Sequence, residues 1–345
     1  MAKGPPPKRH HWWPKSHQRI WTATDGSIAC VRREADGSFN EFRTKPNNIA
    51  VVGRLNSALA EAGVRTERLE EFFDHHVEAD AAPILARLGD PAVGPPLWSQ
   101  RFNLAPAARR KLALDGFRAP GVPELLPMSA AEKTIVAAFV ASMLVRVPTY
   151  KEVLRSPALF GSLVDAAGGE LLVDGEKLKV ELDRLQERVI LHHLREYARS
   201  MRNMTWFVAE SDCDAEFLFS DAPVITAEYG AHEDIDLSFP ISPTRTLLMT
   251  RKFVSPFTDA LRVMRCARKV VNFYNKLVVM NAESSVFSRG RPPVAFIRRY
   301  LGQRVLRVST GINVAPADAP LDAIGPAPLF SGMQVRQVER GAPRS

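Results

Sequence analysis

The sequence predicts an α+β fold, with short antiparallel sheet elements packed against a mostly helical central region. Three observations carry this. Between residues 20 and 43, alternating apolar and polar runs are joined by Asp25-Gly26 and Asp36-Gly37. Asp-Gly between such runs marks tight hairpin turns, because the turn needs positive φ. Apolar residues then recur at helical spacing over 67–88, 135–147 and 175–201. From 204 to 250 strand-like runs return, separated by acidic and proline-containing turns.

Taken in order, residues 1–9 form a basic, Pro-rich lead-in expected to be mobile. His10 to Trp21 carries three histidines and three tryptophans, and so many indoles need apolar cover from the domain. Runs 20–24, 28–33 and 38–43 predict a three-stranded meander. Leu69, Phe72, Phe73, Val77, Ile84 and Leu88 predict a helix over 67–88, kinked or divided at Pro83. Residues 89–127 read as a loop-rich bridge with one short helix near 106–115. Ser129-Ala-Ala-Glu132 is a capping box before a run that is apolar nearly all round, hence a buried helix ending near Arg146-Val147-Pro148. Another helix covers 175–201. Met204–Thr226 reads as strand, acidic turn, strand and a further short strand after Pro223, and 237–240 and 246–250 predict two more. A long helix is expected over 257–283 and a closing strand at 305–308. The domain is expected to run from 10 to 312, with a largely disordered tail over 313–345.

Composition narrows the class. A chain of 345 residues, 46% apolar and 24% charged, has globular proportions and can bury a sizeable core. Its three cysteines, Cys30, Cys213 and Cys266, form no CxxC and no disulfide framework, which points to a reducing compartment. No run approaches the roughly 18 to 20 apolar residues of a bilayer span. The N-terminus lacks the apolar core of a secretory signal. A cytoplasmic protein with no membrane partner is therefore expected.

The net charge of +8 is unevenly spread. Trp206–Thr244 holds nine acidic residues and no Lys or Arg, whereas Arg245–Arg307 holds fourteen basic residues against Asp259 and Glu283. The basic segment suits nucleic acid or another phosphate-bearing partner. Mutual neutralisation of the two segments within the fold explains the same pattern, and is the more frequent outcome of charge runs.

The ordered landmarks resemble a mainly bacterial family, domain of unknown function 4238. They are His11-Trp12-Trp13-Pro14, the glutamates Glu70 and Glu78, Arg146-Val147-Pro148, Ser220-Asp221-Ala222-Pro223, Phe239-Pro240-Ile241-Ser242-Pro243 and Asn275. The likeness spans roughly 10 to 290. Ala222 stands where the family more often has Asn, so that side chain is missing here. The resemblance implies an α+β fold and a shared polar site, and carries over no activity.

Among candidate site residues, Asp221 lies between an apolar strand and a proline, which would hold one carboxylate rigidly. Ser220 and Asp221 equally suit capping a turn. His11 suits a general base or metal ligand, or an anchor stacked among Trp12, Trp13 and Trp21. Glu70 and Glu78 lie eight residues apart, about 80° on a helix. With Asp221 they would form a carboxylate set for a divalent metal or for acid–base work, while a solvated helix face is the commoner origin of such a ribbon. Arg146 closes a buried helix and needs a partner, either one of these carboxylates or an anionic ligand. Asn275 lies on the inner stripe of the late helix, and Arg262, Arg265, Arg268 and Lys269 are expected to form its basic face. The pairs His75-His76 and His192-His193 cannot chelate one ion, because adjacent helical residues point about 100° apart. Walker A, Rossmann, Gly-x-Ser-x-Gly and zinc-type spacings are absent.

These residues suggest a hydrolase acting on a phosphodiester or nucleic acid through His11, Glu70 and Asp221, with a divalent metal held by Glu70, Glu78 and Asp221. Arg146, Ser220 and Asn275 would position the substrate. The alternative is a non-catalytic module binding nucleic acid or an acidic protein through Arg262, Arg265 and Lys269.

Overall fold

The computed structural model describes residues 9–53, 55–56, 58–59, 65–91, 117–118, 124–148, 150, 175–226, 237–251, 259–308 and 335–339. The fold is α+β, with small antiparallel sheets, one larger mixed sheet and helices between them. The expected short helix at 106–115, residues 1–8 of the lead-in and most of the tail lie outside the described residues.

The chain enters through β1 (Arg9–His11) and turns into α1 (Lys15–Ile20). A hairpin of β2 (Ile28–Arg33) and β3 (Phe39–Thr44) follows. Gly37 at φ +85° and the Asp36 carboxylate, which accepts from Ser38 N–H at 2.9 Å, build its turn as the Asp-Gly signal predicts. The expected first strand of the meander is not one. Residues 20 and 21 end a helix, and the Asp25-Gly26 turn, with Gly26 at φ +73°, feeds that helix into β2. The reason is packing. Trp13, His17 and Trp21 stand four residues apart, so a helical path buries all three on one face.

Beyond β3 come β4 (Val51–Gly53), β5 (Ala58–Leu59) and β6 (Arg65–Thr66). Then α2 (Arg68–Phe73) runs through one widened π turn (Asp74–Glu78) into α3 (Ala79–Gly89). Its apolar stripe of Leu69, Phe73, Val77, Ala81, Leu85 and Leu88 is buried. The helix continues past Pro83, and its irregularity lies one turn earlier.

After β7 (Phe117–Arg118) and β8 (Glu124–Pro127), α4 (Ala130–Val145) starts at a complete capping box. Ser129 Oγ accepts from Glu132 N–H, and the Glu132 carboxylate accepts from Ser129 N–H at 2.8 Å. As its all-round apolarity requires, α4 is buried, and α5 (Gly175–Arg202) packs along it.

The remaining elements are β9 (Thr205–Ser211), β10 (Phe219–Ser220), β11 (Ile225–Thr226), β12 (Leu237–Pro240) and β13 (Arg245–Thr250). They continue with β14 (Ala260–Cys266), α6 (Arg268–Asn281), β15 (Ser285–Ser288), α7 (Val294–Tyr300), β16 (Arg304–Val308) and β17 (Val335–Glu339). The predicted strands at 237–240 and 246–250 are therefore present, and β16, the expected closing strand, pairs with β17.

The larger sheet has the order β11-β12-β13-β9-β14-β7, with β8 also on β14. Only the β14–β9 pairing in it is parallel. The expected helix over 257–283 is thus corrected. Leu261, Val263 and Cys266 are buried in a strand with neighbours on both edges, and the helix begins only at Arg268. A four-stranded sheet, β10-β15-β2-β3, completes the core and gives β2 the far-downstream neighbour that the meander reading lacked.

The N-terminal indoles close this core. Trp13 stacks on Phe219 at 4.2 Å between ring centroids and lies 5.0 Å from Phe287. His17, wholly buried, accepts from Trp13 Nε1–H at 2.8 Å through Nδ1, so its proton sits on Nε2, 3.1 Å from the Ile241 carbonyl. Burial lowers the His17 pKa to about 3, against the raising pull of that carbonyl. The unfolded chain takes up the proton below pH 6.5 and the folded one does not, so His17 makes stability fall as pH drops from 6.5 towards 3. Urea unfolding at pH 7 and pH 5 should show about 2 kcal/mol of this loss. His17→Gln should shrink the pH 7 to pH 5 difference by that amount, and an unchanged difference would contradict the assignment.

Candidate functional site

Three parts of the chain meet at the end of α4. β1 pairs with β4, setting His11 opposite Val51, and Trp12 N–H donates to Ala50 O at 3.0 Å. Ala50 holds φ +55°, a left-handed conformation that costs a non-glycine residue about 1 to 2 kcal/mol. The strand alternation then turns His10 inward. Its Nδ1 accepts from Asn56 N–H at 2.8 Å, which puts the ring proton on Nε2. That nitrogen stands 2.8 Å from Glu67 Oε2, a close polar contact that falls short of an aligned hydrogen bond.

Arg146 caps α4 and is only 1% exposed. Its Nη1 donates to Glu78, its Nη2 donates to the main-chain carbonyl of His11 at 2.6 Å, and its Nη2 lies 3.7 Å from Glu70 Oε2. The guanidinium stacks over Phe73, 4.6 Å from the ring centroid. Asn56 donates its side-chain amide to Glu70, and His10 Nδ1 stands 4.0 Å from the same carboxylate.

The widened turn explains how Glu70 and Glu78 reach one guanidinium. In a regular helix they point about 80° apart, but a π turn acts as one inserted residue. The spacing of eight then behaves as seven, and the two directions come within about 20°. Burial pushes the Glu78 carboxyl above its ordinary value, against the downward pull of Arg146.

The structure thus brings Glu70, Glu78, Arg146 and the backbone of His11 together. The His11 ring is half-buried, with Nδ1 at 3.4 Å from Gln18 Nε2. His10, Asn56 and Glu67 belong to the same cluster and escaped the sequence reading. The signal for His10 was period-2 alternation in a three-residue strand, too short to register.

Asp221 is elsewhere. Its carboxylate accepts from the N–H groups of Glu283, Ser284 and Ser285 at 2.8, 2.7 and 2.7 Å, and from Ser284 Oγ–H at 2.9 Å. Burial raises its carboxyl above the ordinary range, and these donors partly offset that. Its role here ties the end of β10 to the start of β15. Ser220 Oγ accepts from Ala222 N–H at 3.3 Å, the local capping that the sequence allowed. Asn275 likewise faces backbone, accepting from Leu218 N–H and donating to Glu216 O, both at 2.8 Å. Among the described residues no three His, Cys, Asp or Glu side chains are grouped so as to hold a metal ion, so the expected set of Glu70, Glu78 and Asp221 does not assemble.

The expected basic face divides as well. Arg262 and Arg265 lie on β14, while Arg268 and Lys269 open α6. Arg265 lies 3.9 Å from Glu210, and Arg268 pairs with Asp214. Arg245 is bonded to Glu210 at 2.5 and 2.7 Å, and Arg289 to Glu216 at 2.5 and 2.9 Å. The acidic and basic segments therefore neutralise each other in part within the fold.

Asp221→Ala strips an acceptor from three backbone N–H groups and should cost about 3 kcal/mol or more in urea unfolding. Ser284→Ala removes one donor and should cost about 1 kcal/mol. Equal effects would show that the carboxylate does not organise this loop.

Neither the curated proteins nor the solved structures contain a match to this chain. The profile of the family described as protein of unknown function (DUF4238) matches residues 9–291, well over half of the sequence, a span that includes the cluster above. The chain belongs to that family.

Proposed function

We propose that the protein is a hydrolase working by acid–base chemistry at Glu67, Glu70, Glu78 and Arg146. The observation that carries this reading is the pair Glu70 and Glu78 flanking one buried guanidinium across a π turn. Such turns concentrate at functional sites, and perturbed carboxyls beside a charge partner do too. Glu70, whose side chain is 26% exposed, is the carboxylate that solvent reaches and takes the part of general base. Glu78, raised by burial, is the general acid. Arg146 Nε–H is buried without a hydrogen-bond partner among the described residues and is the donor left for a substrate oxygen. His10, with Nδ1 engaged by Asn56, sets its other ring nitrogen against Glu67 at the edge of the cluster.

Charge points to the substrate class. Two carboxylates flank one guanidinium and Glu67 stands beside His10, so a phosphodiester is repelled unless a divalent cation accompanies it. An uncharged ester or glycosidic bond fits the cluster better than the nucleic-acid substrate that the basic segment suggested.

The full chain should turn over chromogenic esters or glycosides in preference to bis(p-nitrophenyl) phosphate. Glu70→Gln should lower that rate by about 10²- to 10⁴-fold with little change in melting temperature. Glu78→Gln should abolish the alkaline limb of the rate–pH profile. Turnover confined to the phosphodiester with Mn²⁺ would overturn the substrate class, and an unaffected Glu70→Gln enzyme would overturn the site.

A further inference from the structure

The internal pairing of Arg245, Arg265, Arg268 and Arg289 leaves another set of cations to explain. Lys276, on the outer face of α6, and Arg299, at the end of α7, both stand over the ring of Tyr300, at 4.9 and 5.5 Å from its centroid. Arg298 lies over Phe39 at 5.7 Å and donates to Glu41 at 3.1 Å. Arg33, the cross-strand neighbour of Phe39, packs against Gly302 just beyond α7. Phe296 lies 5.0 Å from Tyr300, and the rings of Phe39, Phe296 and Tyr300 are all half-buried rather than sealed. Of the four cations only Arg298 has a carboxylate partner among the described residues. A helix C-terminus attracts cations, which accounts for Arg298 and Arg299. It does not account for Lys276 and Arg33, which reach the same place from α6 and β2.

We infer that this face of α7, α6 and the β2–β3 hairpin binds single-stranded nucleic acid, with Lys276, Arg33 and Arg299 turning onto phosphates and so freeing the ring of Tyr300 for a base. Cations held on aromatic faces are poised for phosphate, and half-exposed rings among them are what separates a stacking surface from a merely basic one. The site is independent of Glu70 and Glu78, and it differs from the Arg262, Arg265 and Lys269 face expected from sequence.

Fluorescence anisotropy with labelled dT20 and rU20 tests this on the full chain. Binding should weaken as salt rises, by about 0.7 log units per log unit of salt for each phosphate contact. The double variant Lys276→Gln/Arg299→Gln should lower affinity about tenfold and remove roughly two contacts from that slope. Tyr300→Leu should weaken binding at unchanged slope, because stacking carries no charge. Glu70→Gln should bind like the wild type, which separates this surface from the hydrolytic site. Absence of oligonucleotide binding, or binding that the double variant leaves intact, would overturn the proposal. So would equal affinity for heparin or anionic vesicles together with an inert Tyr300→Leu change, the mark of a general polyanion surface.

Discussion

A guanidinium taken out of water costs several kcal/mol unless its donors find partners in good geometry. Arg146 meets that demand by drawing on two separate parts of the chain: the backbone of β1, and the α2 segment, which supplies Glu70, the Phe73 ring and Glu78 at the end of the π turn. None of these contacts is local in sequence. The N-terminal strand stays where it is because α4 ends in an arginine, and α2 widens where two carboxylates must face one way. A regular turn at 74–78 would rotate Glu78 away and leave a buried charge with one fewer partner.

The same solution recurs at two other buried charges. Arg245 donates to the carbonyls of Leu88 and Asp90 at 2.9 and 2.7 Å, serving the exposed end of α3 while bonded to Glu210. Asp221 collects the N–H groups at the entry to β15. Each charge meets backbone groups that a helix or strand end leaves open, so sheet and helix are joined through termini as well as through apolar faces. Acidic and basic segments adjacent in sequence then become cross-strand neighbours, as in the register Arg245 to Glu210 and Arg265 to Glu210. Sheet pairing thereby places opposite charges together.

How much of this was legible follows from the range of each signal. The capping box at Ser129, the Asp36-Gly37 hairpin, the buried α4 and the strands from 204 to 250 depend on neighbours within a few residues, and all are present. The α+β class was readable for the same reason. The strand at 260–266 was read as helix because its buried positions, Leu261, Val263, Met264 and Cys266, do not alternate cleanly, and its ladder partners lie more than fifty residues upstream. At 20–24 an alternating pattern competed with the four-residue spacing of Trp13, His17 and Trp21, and burial of three aromatic rings outweighed one edge pairing.

The cluster was half legible, and the division follows from geometry. Arg146 stood out because a charged residue closing a buried helix needs a partner, and Glu70 and Glu78 as a spaced carboxylate pair among the landmarks of the family resemblance. The spacing rule that set the glutamates about 80° apart assumes 3.6 residues per turn throughout, and the widened turn breaks that assumption at the site itself. His10 was passed over for His11 because only the pairing of β1 with β4, fixed by a left-handed Ala50, decides which imidazole turns inward. A departure from ideal helix and a departure from ordinary φ thus converge on one group of side chains. Local rules fail where the chain departs from ideal geometry, and here both departures are held by the contacts of one buried guanidinium and one strand pairing.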